Sequence, residues 1–240
     1  MVFYENALAL NDFSIEVDDG EFLAVLGSNS AGKTTLMNAI SGLIEEMKTK
    51  EDRRGGVRIT VLGEILFRGE PLIGTRPRYR VEKGLVLARE RHPIFRDSDV
   101  RENLKIAGYL RKNPEVEESS RFVFDLFPQL KRWRKRKAGF LSGGEQQMLS
   151  IGMALVAKPA LLLLDEPLLG LSPLLQHSLV QAIGNINETG ITILVTEQFA
   201  RPLLPHIHRG YILENGMLTL KGTGKDLMEN PEVRTAYFGV

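Results

Sequence analysis

Gly27-Ser-Asn-Ser-Ala-Gly-Lys-Thr34 is a complete phosphate-binding loop: a glycine, four residues, and then Gly-Lys-Thr. Phe22–Leu26 before it is a short apolar run, as expected for a buried strand, and Leu36, Ile40 and Leu43 follow at helical spacing. A strand, a glycine-containing loop and a helix start direct backbone N–H groups and the positive helix end toward an anion. The sequence therefore predicts a nucleotide phosphate site at this loop.

The residue types within the loop have separate expected roles. Gly27 and Gly32 permit turns and close approaches that a Cβ atom would obstruct. Lys33 is expected to reach the β- and γ-phosphates and to act in catalysis, and the Thr34 hydroxyl is expected to ligate Mg²⁺. The predicted phosphate-binding residues are Gly27, Ser28, Asn29, Ser30, Ala31, Gly32, Lys33, Thr34 and Thr35.

The amino-acid composition limits which partners and which kinds of site the chain can have. Of the 240 residues, 43% are hydrophobic and 25% charged, which is ordinary for a globular protein. Lys plus Arg number 31 and Asp plus Glu number 30, so the chain has no overall positive charge that would favour nucleic acid. Nucleic acid is therefore not expected as a partner. The absence of cysteine excludes disulfides, thiolate catalysis and cysteine-based zinc sites. With neither a membrane-spanning apolar run nor a signal-peptide pattern, the chain is expected to be cytoplasmic and to meet a membrane only through partners.

The rest of the chain alternates short apolar runs with helical patterns, which favours a parallel sheet covered by helices. The helical pattern from Ser98 to Leu130, with the helix predicted over Gly143–Ala157, indicates a helical subdomain at about 91–157. We therefore expect one domain, 1–240, with an α/β core at about 1–90 and 158–240. The other predicted elements are strands at Leu85–Leu87, Leu161–Leu164 and Ile191–Val195, a helix at Pro173–Asn187, and a hairpin of Tyr211–Leu213 and Met217–Leu220.

Three local patterns give further predictions. Alternation of Phe13, Ile15 and Val17 predicts a half-buried strand at Asn11–Val17. The charged stretch Glu45–Arg54 is interpreted as a solvated loop. Val57–Leu62 and Ile65–Phe67 are predicted to be strands joined by a turn at Gly63-Glu64.

Two sets of basic residues have functional and ordinary interpretations. The run Lys131–Lys137 could bind a phosphate backbone, but with one aromatic residue and a near-zero net charge a solvated face after a helix end is favoured. The four histidines have no ligand-like neighbours and are interpreted as surface residues. Mg²⁺ bound with a nucleotide is therefore the expected metal.

Asp165 and Glu166 follow an all-leucine strand, at the end of the strand where ligands bind in open α/β sheets. Asp165 is expected to hold Mg²⁺ through water, and Glu166 to take a proton from the attacking water as the catalytic base. An acid pair after a strand is a weak signal by itself. Together with the upstream phosphate loop it indicates a nucleoside triphosphatase.

Leu141-Ser-Gly-Gly-Glu-Gln-Gln-Met148 predicts a second anion cradle, in which Ser142, Gly143 and Gly144 open a helix. One nucleotide needs only one phosphate loop. A head-to-tail pair of chains, in which each second cradle covers the nucleotide of the other chain, would use both.

These motifs resemble the ATP-binding-cassette family over nearly the whole chain, and most closely the ATPase subunits of branched-chain amino-acid importers. The resemblance implies the cassette fold: a P-loop NTPase core with a mainly parallel sheet, an antiparallel β subdomain and an inserted helical subdomain. It also implies ATP and Mg²⁺ as cofactors. The stretches that carry it are Leu141–Leu149, Asp165–Pro173, Arg209–Gly216 and Pro231–Val240.

The family also implies roles for residues outside the main motifs. Tyr4 lies where an aromatic ring stacks on adenine, and Glu90 where most members have a glutamine that contacts Mg²⁺ and the permease. Glu197 stands where most have a switch histidine, and Ser172 replaces the usual aspartate of the loop after the acid pair. Similar replacements of the glutamine and the histidine are typical of the importer subgroup.

The implied assembly is a homo- or heterodimer of ATPase subunits on two membrane permease subunits, fed indirectly by a periplasmic binding protein. The expected location is the cytoplasmic face of the inner membrane. Branched-chain amino acids are the family default, while urea, amides or other amino acids stay open as solutes.

Two alternative functions are a soluble cassette that acts on DNA or the ribosome, and a regulatory subunit that has lost catalysis. Intact Lys33, Thr34, Asp165 and Glu166 argue against the second.

Overall fold

A computed structural model describes residues 1–90, 93–199 and 201–238 of the protein. The first position of the expected helical subdomain, 91, lies outside the described residues, as does His92, one of the four histidines interpreted as surface residues. Ala200 and the last two positions of the family-like stretch Pro231–Val240 lie outside them as well.

The described elements alternate between strands and helices, as the sequence pattern predicts. The strands are β1 (Val2–Tyr4), β2 (Ala7–Leu10), β3 (Phe22–Leu26), β4 (Ile59–Val61), β5 (Leu66–Phe67), β6 (Glu70–Pro71), β7 (Leu85–Ala88), β8 (Leu161–Asp165), β9 (Thr192–Glu197), β10 (Arg209–Glu214) and β11 (Met217–Thr223). The helices are α1 (Lys33–Ser41), α2 (Leu43–Arg54), α3 (Pro77–Glu82), α4 (Val100–Ala107), α5 (Asn113–Leu126), α6 (Pro128–Arg132), α7 (Gly143–Val156), α8 (Pro173–Glu188), α9 (Gly224–Glu229) and α10 (Pro231–Tyr237).

The central sheet has the strand order β11-β10-β3-β9-β8-β7, and every neighbouring pair is parallel except β10 with β11. All five residues of β3 and of β8 are buried, because helices cover both faces of the sheet. Alternate residues of β3 enter two different apolar clusters, Phe22 on one face and Leu23 on the other. The parallel order brings the carboxyl ends of β3, β8 and β9 to one edge, where the phosphate loop and the acid pair lie.

Two small antiparallel sheets and a group of helices complete the architecture. One sheet has the order β2-β1-β4, and the other pairs β5 with β6. Helices α4 to α7 lie between β7 and β8 in the chain. A mostly parallel core with antiparallel strands and added helices confirms the predicted fold class.

The predicted strand at Asn11–Val17 is wrong, although its side-chain pattern was correct. Phe13, Ile15 and Val17 are half-buried and alternate with exposed residues, but the segment has no strand assignment. Strand β2 ends before it, at Leu10, and Asp12 has a φ of 42°, which interrupts the extended backbone. Alternation is a property of any extended segment that lies over a core, whether or not it joins a sheet.

The other two local predictions also need correction. Residues 45–54 belong to helix α2, which carries acids in its first turn and arginines in its last turn, as the helix dipole favours. Gly55, with a φ of 63°, ends this helix. The strands at 59–61 and 66–67 do not pair with each other, because β4 pairs with β1 and β5 with β6.

Candidate functional site

The phosphate loop connects β3 to α1 and contains two glycines that other residues could not replace. A Cβ atom on Gly27 would lie 2.5 Å from the carbonyl oxygen of Leu213. Gly32 has a φ of 110°, and its Cβ atom would lie 2.7 Å from the carbonyl oxygen of Ala9. Strands β10 and β2 therefore press on the loop from outside. The exposed residues of the loop are Ser28, Asn29 and Ser30.

Lys33 opens α1 and is almost completely buried at 3% exposure. Its Nζ atom donates to the carbonyl oxygens of Gly27 at 2.7 Å and Ser28 at 2.8 Å. The same atom lies 3.0 Å from Oε1 of Glu166, whose side chain is 10% exposed. The two predicted catalytic residues thus meet as an ion pair. A phosphate bound by the loop would compete with Glu166 for the lysine.

Asp165 ends β8 and is buried beside the loop. Its Oδ1 atom accepts a hydrogen bond of 2.8 Å from the Thr196 hydroxyl, and the Thr34 side chain lies close enough to this carboxyl to lower its pKa. Burial raises the pKa of Asp165, and the charges of Glu166 and Glu90 add to the rise. A buried carboxylate beside a hydroxyl is a hard-oxygen donor set that fits Mg²⁺. Within the described residues no cluster of three or more metal-ligating side chains occurs, so phosphate oxygens would have to supply further ligands.

Glu90 and Tyr4 are the two predicted site residues that lie outside the main motifs. Glu90 follows β7, whose Ala88 is paired with Leu164 of β8, and its charge acts on Asp165. Tyr4 ends β1, is half-buried, and packs against the apolar cluster that includes α1. A nucleotide contact of either residue stays a prediction.

Glu197 ends β9 and is buried at 2% exposure. Its Oε1 atom accepts the backbone N–H of Leu168 at 2.6 Å, and its Oε2 atom accepts that of Gln198 at 3.2 Å. Burial raises its pKa to about 8, the negative charge of Glu166 adds to the rise, and the two backbone N–H groups and Lys33 oppose it. Glu197 therefore lies beside the catalytic pair and is bonded to the loop after Glu166.

Ser142, Gly143 and Gly144 form the start of α7, as predicted. Ser142 is the N-cap, and Glu145 completes a reciprocal capping box with it. Ser142 and Gly143 are exposed. Throughout the described ranges, no hydrogen bond or ion pair joins these residues to the phosphate loop. The helix start at Ser142 is therefore separate from the helix start at the phosphate loop.

Sequence reasoning missed two residues that support the site. Thr196 holds Asp165 through its hydroxyl, and a single threonine in an apolar strand gives no signal of that role. Arg80 is buried at 1% exposure and donates to the carbonyl oxygens of Ala39 at 2.6 Å and Ile40 at 2.8 Å, in the last turn of α1. An arginine among other arginines before a strand does not reveal that it caps the helix that begins at the phosphate loop.

Comparison with known proteins shows which family has this combination of motifs. The ABC transporter family matches residues 10–169, which contain the phosphate loop, the second cradle and the acid pair. The chain belongs to the ABC transporter family. It is an ATP-hydrolysing cassette, in agreement with the motifs and with the Lys33–Glu166 geometry. No helix among the described residues of the cassette is both long and apolar enough to cross a membrane.

The cassette is similar over its whole length to individual proteins of this family. It is 37% identical to the high-affinity branched-chain amino acid transport ATP-binding protein BraG of Pseudomonas aeruginosa, across 99% of this chain and 96% of that protein. It is 28% identical to the lipopolysaccharide export system ATP-binding protein LptB of Haemophilus influenzae, across 98% and 93%. Its fold matches the ADP conformation of MJ1267, an ATP-binding cassette of an ABC transporter, with a TM-score of 0.81, 26% identity, and coverage of 100% and 96%.

Proposed function

We propose that this cassette powers an importer of branched-chain or related amino acids. It would act as one of two ATPase subunits bound to two membrane permease subunits on the cytoplasmic face of the inner membrane. A periplasmic binding protein would deliver the solute. The observation that carries the proposal is the 37% identity to BraG over nearly the full length of both chains, joined to the phosphate loop and the Lys33–Glu166 ion pair.

The geometry supports a defined set of residue roles in hydrolysis. Lys33 would move from Glu166 to the β- and γ-phosphates and offset their charge. Glu166, released from the ion pair, would accept the proton of the attacking water as general base. Tyr4 would stack on adenine. Backbone N–H groups from Gly27 to Thr35 would bind the phosphate oxygens.

Mg²⁺ belongs to this proposal as the metal that accompanies ATP. When bound, it would neutralise charge on the phosphates. Thr34 and Asp165 would hold it, because their oxygens already meet beside the loop, and Glu90 would contribute from the end of β7. The raised pKa of Asp165 supports this role, since a buried carboxyl without a nearby cation disfavours its charged form.

The second cradle supports a paired arrangement of cassettes. Ser142, Gly143 and Gly144 would cover the γ-phosphate bound to the other subunit, and ATP would thus hold the pair closed. Hydrolysis would reopen the pair and drive alternating access in the permeases. Ser142 and Gly143 are exposed, and among the described residues no hydrogen bond or ion pair joins the cradle to the phosphate loop of its own chain, as this arrangement requires.

The experiment that tests this proposal is transport in proteoliposomes. The cassette is purified with the permeases encoded beside it, and ATP hydrolysis is measured with the binding protein and each candidate solute. Leucine, isoleucine or valine should stimulate hydrolysis and accumulate inside the vesicles, while Glu166→Gln in the same complex should do neither. Stimulation by urea or amides alone would replace the amino-acid assignment, and a cassette that binds no permease would contradict the transport role.

Export is the second candidate, favoured by the similarity to LptB over nearly the full chain. An exporter would need no periplasmic binding protein for stimulation. ATP hydrolysis that responds to a lipid substrate in the membrane, and not to a loaded binding protein, would support export instead of import.

A further inference from the structure

The basic run Lys131–Lys137, which the ATPase site does not use, is fixed against the start of α4. The N–H of Val100 donates to the carbonyl of Arg136 at 3.2 Å, and that of Arg101 to the carbonyl of Arg134 at 3.1 Å. Lys137 also forms an antiparallel bridge with Asp99. The backbone of the run is therefore bonded to the start of α4.

Trp133, the single tryptophan of the chain, is the centre of this segment. The guanidinium carbon atoms of Arg132 and Arg136 lie 4.9 and 4.7 Å from its ring centroid. Its Nε1–H donates to Oε1 of Glu145 at 2.8 Å. Cations that stack on an indole ring draw electron density from it and make the N–H a stronger donor.

Glu145 connects this stack directly to the second cradle. Its Oε2 atom accepts the backbone N–H of Ser142 at 2.8 Å and the Ser142 hydroxyl at 3.0 Å. The Glu145 N–H bonds back to that hydroxyl at 3.4 Å. Both carboxylate oxygens are thus in use, one toward Trp133 and one toward Ser142.

This arrangement addresses a conflict of charge in the cradle. A carboxylate in the first turn of α7 competes with any phosphate for the positive helix end and repels it. The indole N–H fixes one oxygen of Glu145, and the two guanidinium groups lie over the same indole ring. Glu145 can then orient Ser142 while its charge is offset.

We propose that Trp133 is a positioning residue for the nucleotide of the partner subunit. Through Glu145 it holds Ser142 and the first turn of α7, whose Gly143 and Gly144 N–H groups would receive the phosphate, and Arg132 and Arg136 on the same ring offset the charge of Glu145. This inference rests on the proposed role of Ser142–Gly144 as the cover of the partner's ATP. It assigns a function to a basic segment that composition alone interprets as a solvated face.

The test measures the ATP-driven association of two chains by light scattering, in the hydrolysis-deficient Glu166→Gln background. Trp133→Phe keeps a ring for the arginines and removes the N–H, and it should raise the dimer dissociation constant about tenfold, as expected for a lost bond to a charged group. ATP affinity of the monomer should not change. Lys135→Gln, which removes an exposed charge of the same run, is the matched control and should have no effect.

A double-mutant cycle separates positioning from a purely structural contribution. If Trp133 acts through Glu145, Trp133→Phe should add nothing in a Glu145→Ala chain, whereas additive effects would overturn the inference. Normal association of Trp133→Phe, in a series where Ser142→Arg blocks association, would also overturn it and leave the proposed cradle intact. Association of the Ser142→Arg chain would instead contradict the cradle role itself.

Intrinsic fluorescence gives a measurement that needs no change at Trp133. In the Glu166→Gln chain its emission reports on the indole environment alone, because no other tryptophan is present. ATP should shift this emission with the same concentration dependence as dimer formation. Unchanged emission in a chain that demonstrably dimerises would overturn the inference.

Discussion

Glu197 is buried, lies near the Lys33–Glu166 pair and has a raised pKa. Its carboxyl lies at the end of β9, near Lys33 and Glu166, and accepts the Leu168 N–H at 2.6 Å. Both of its oxygens already accept backbone N–H groups, Oε1 from Leu168 and Oε2 from Gln198, and both bonds hold it against the loop and the strand end instead of a phosphate. The geometry favours a supporting role for Glu197, in which it holds the loop that follows Glu166, over direct phosphate binding.

Glu197→Gln tests this role through activity and pH dependence together. Glutamine retains an oxygen for the Leu168 N–H, so ATP hydrolysis at neutral pH should stay within about threefold of the parent, well short of the loss expected for a removed general base. Activity as low as that of Glu166→Gln would place Glu197 in the catalytic set.

The stability of the same variant has a predictable sign. Burial raises the folded pKa of Glu197 to about 8 from the ordinary 4.5, so the unfolded chain loses this proton at a lower pH than the folded chain. Folded-state stability of the parent therefore falls between these two values as pH rises. The advantage of Glu197→Gln should grow by about 1.4 kcal/mol per pH unit in that window and then level off. Urea unfolding at several pH values measures it, and parallel curves would contradict it.

At the scale of elements, α1 depends on a cation at its end as well as on the loop at its start. Arg80 donates to Ala39 and Ile40 in the last turn of α1 and to the carbonyl of Leu72 at 2.6 Å. Burial lowers the pKa of Arg80, and the helix dipole and these carbonyls stabilise its charge. Gly42 fits beside it, because a Cβ atom there would lie 2.7 Å from Nε of Arg80.

Arg80→Ala should lower the free energy of unfolding by about 3 kcal/mol, since it removes a buried side chain together with its hydrogen bonds to the carbonyls of Ala39, Ile40 and Leu72. Arg80→Lys should restore little, because one ammonium group cannot reproduce the divergent guanidinium donors. Arg78→Ala on the same helix is the matched control. Arg78 is exposed and pairs with Glu82 across one helical turn, a contact worth about 0.5 kcal/mol at most. Equal effects of the two alanine variants in urea unfolding would contradict the prediction.

The elements differ in how well the sequence predicts them, for physical reasons. The apolar strands and α7 follow from burial patterns that few other structures satisfy. Only Ile44 of helix α2 is buried, so the charged residues that follow it show no apolar repeat at helical spacing. For this reason the sequence pattern favours a loop there. For residues 59–61, sequence shows a strand but not its partner, since pairing with β1 depends on contacts across more than fifty residues.

At the scale of the whole molecule, the sequence predicts which motif residues meet at the sheet edge better than it predicts the side chains that hold them there. Lys33, Thr34, Asp165 and Glu166 come together as predicted, because a parallel sheet must gather its strand ends at one edge. The bonds that hold them depend on single side chains, such as Thr196, whose partners only the fold reveals. The second cradle, in contrast, has no nucleotide contact to make within its own chain in the proposed pair.

The head-to-tail pair can be tested by complementation between two inactive chains. Glu166→Gln should reduce hydrolysis by about 10²- to 10⁴-fold, and Ser142→Arg should block the cradle for the partner's nucleotide. A mixed dimer of these two single variants retains one intact site, built from Glu166 of one chain and Ser142 of the other. A double-variant chain paired with the parent retains none, although both mixtures carry the same two substitutions. Tandem-tagged dimers of the first kind should hydrolyse ATP at roughly half the parental rate, as one of two symmetric sites remains, and those of the second kind should be inactive. If only the second kind is active, each site is complete within one chain, and if both kinds are equally active, Ser142 belongs to neither site; either result would contradict the shared-site arrangement.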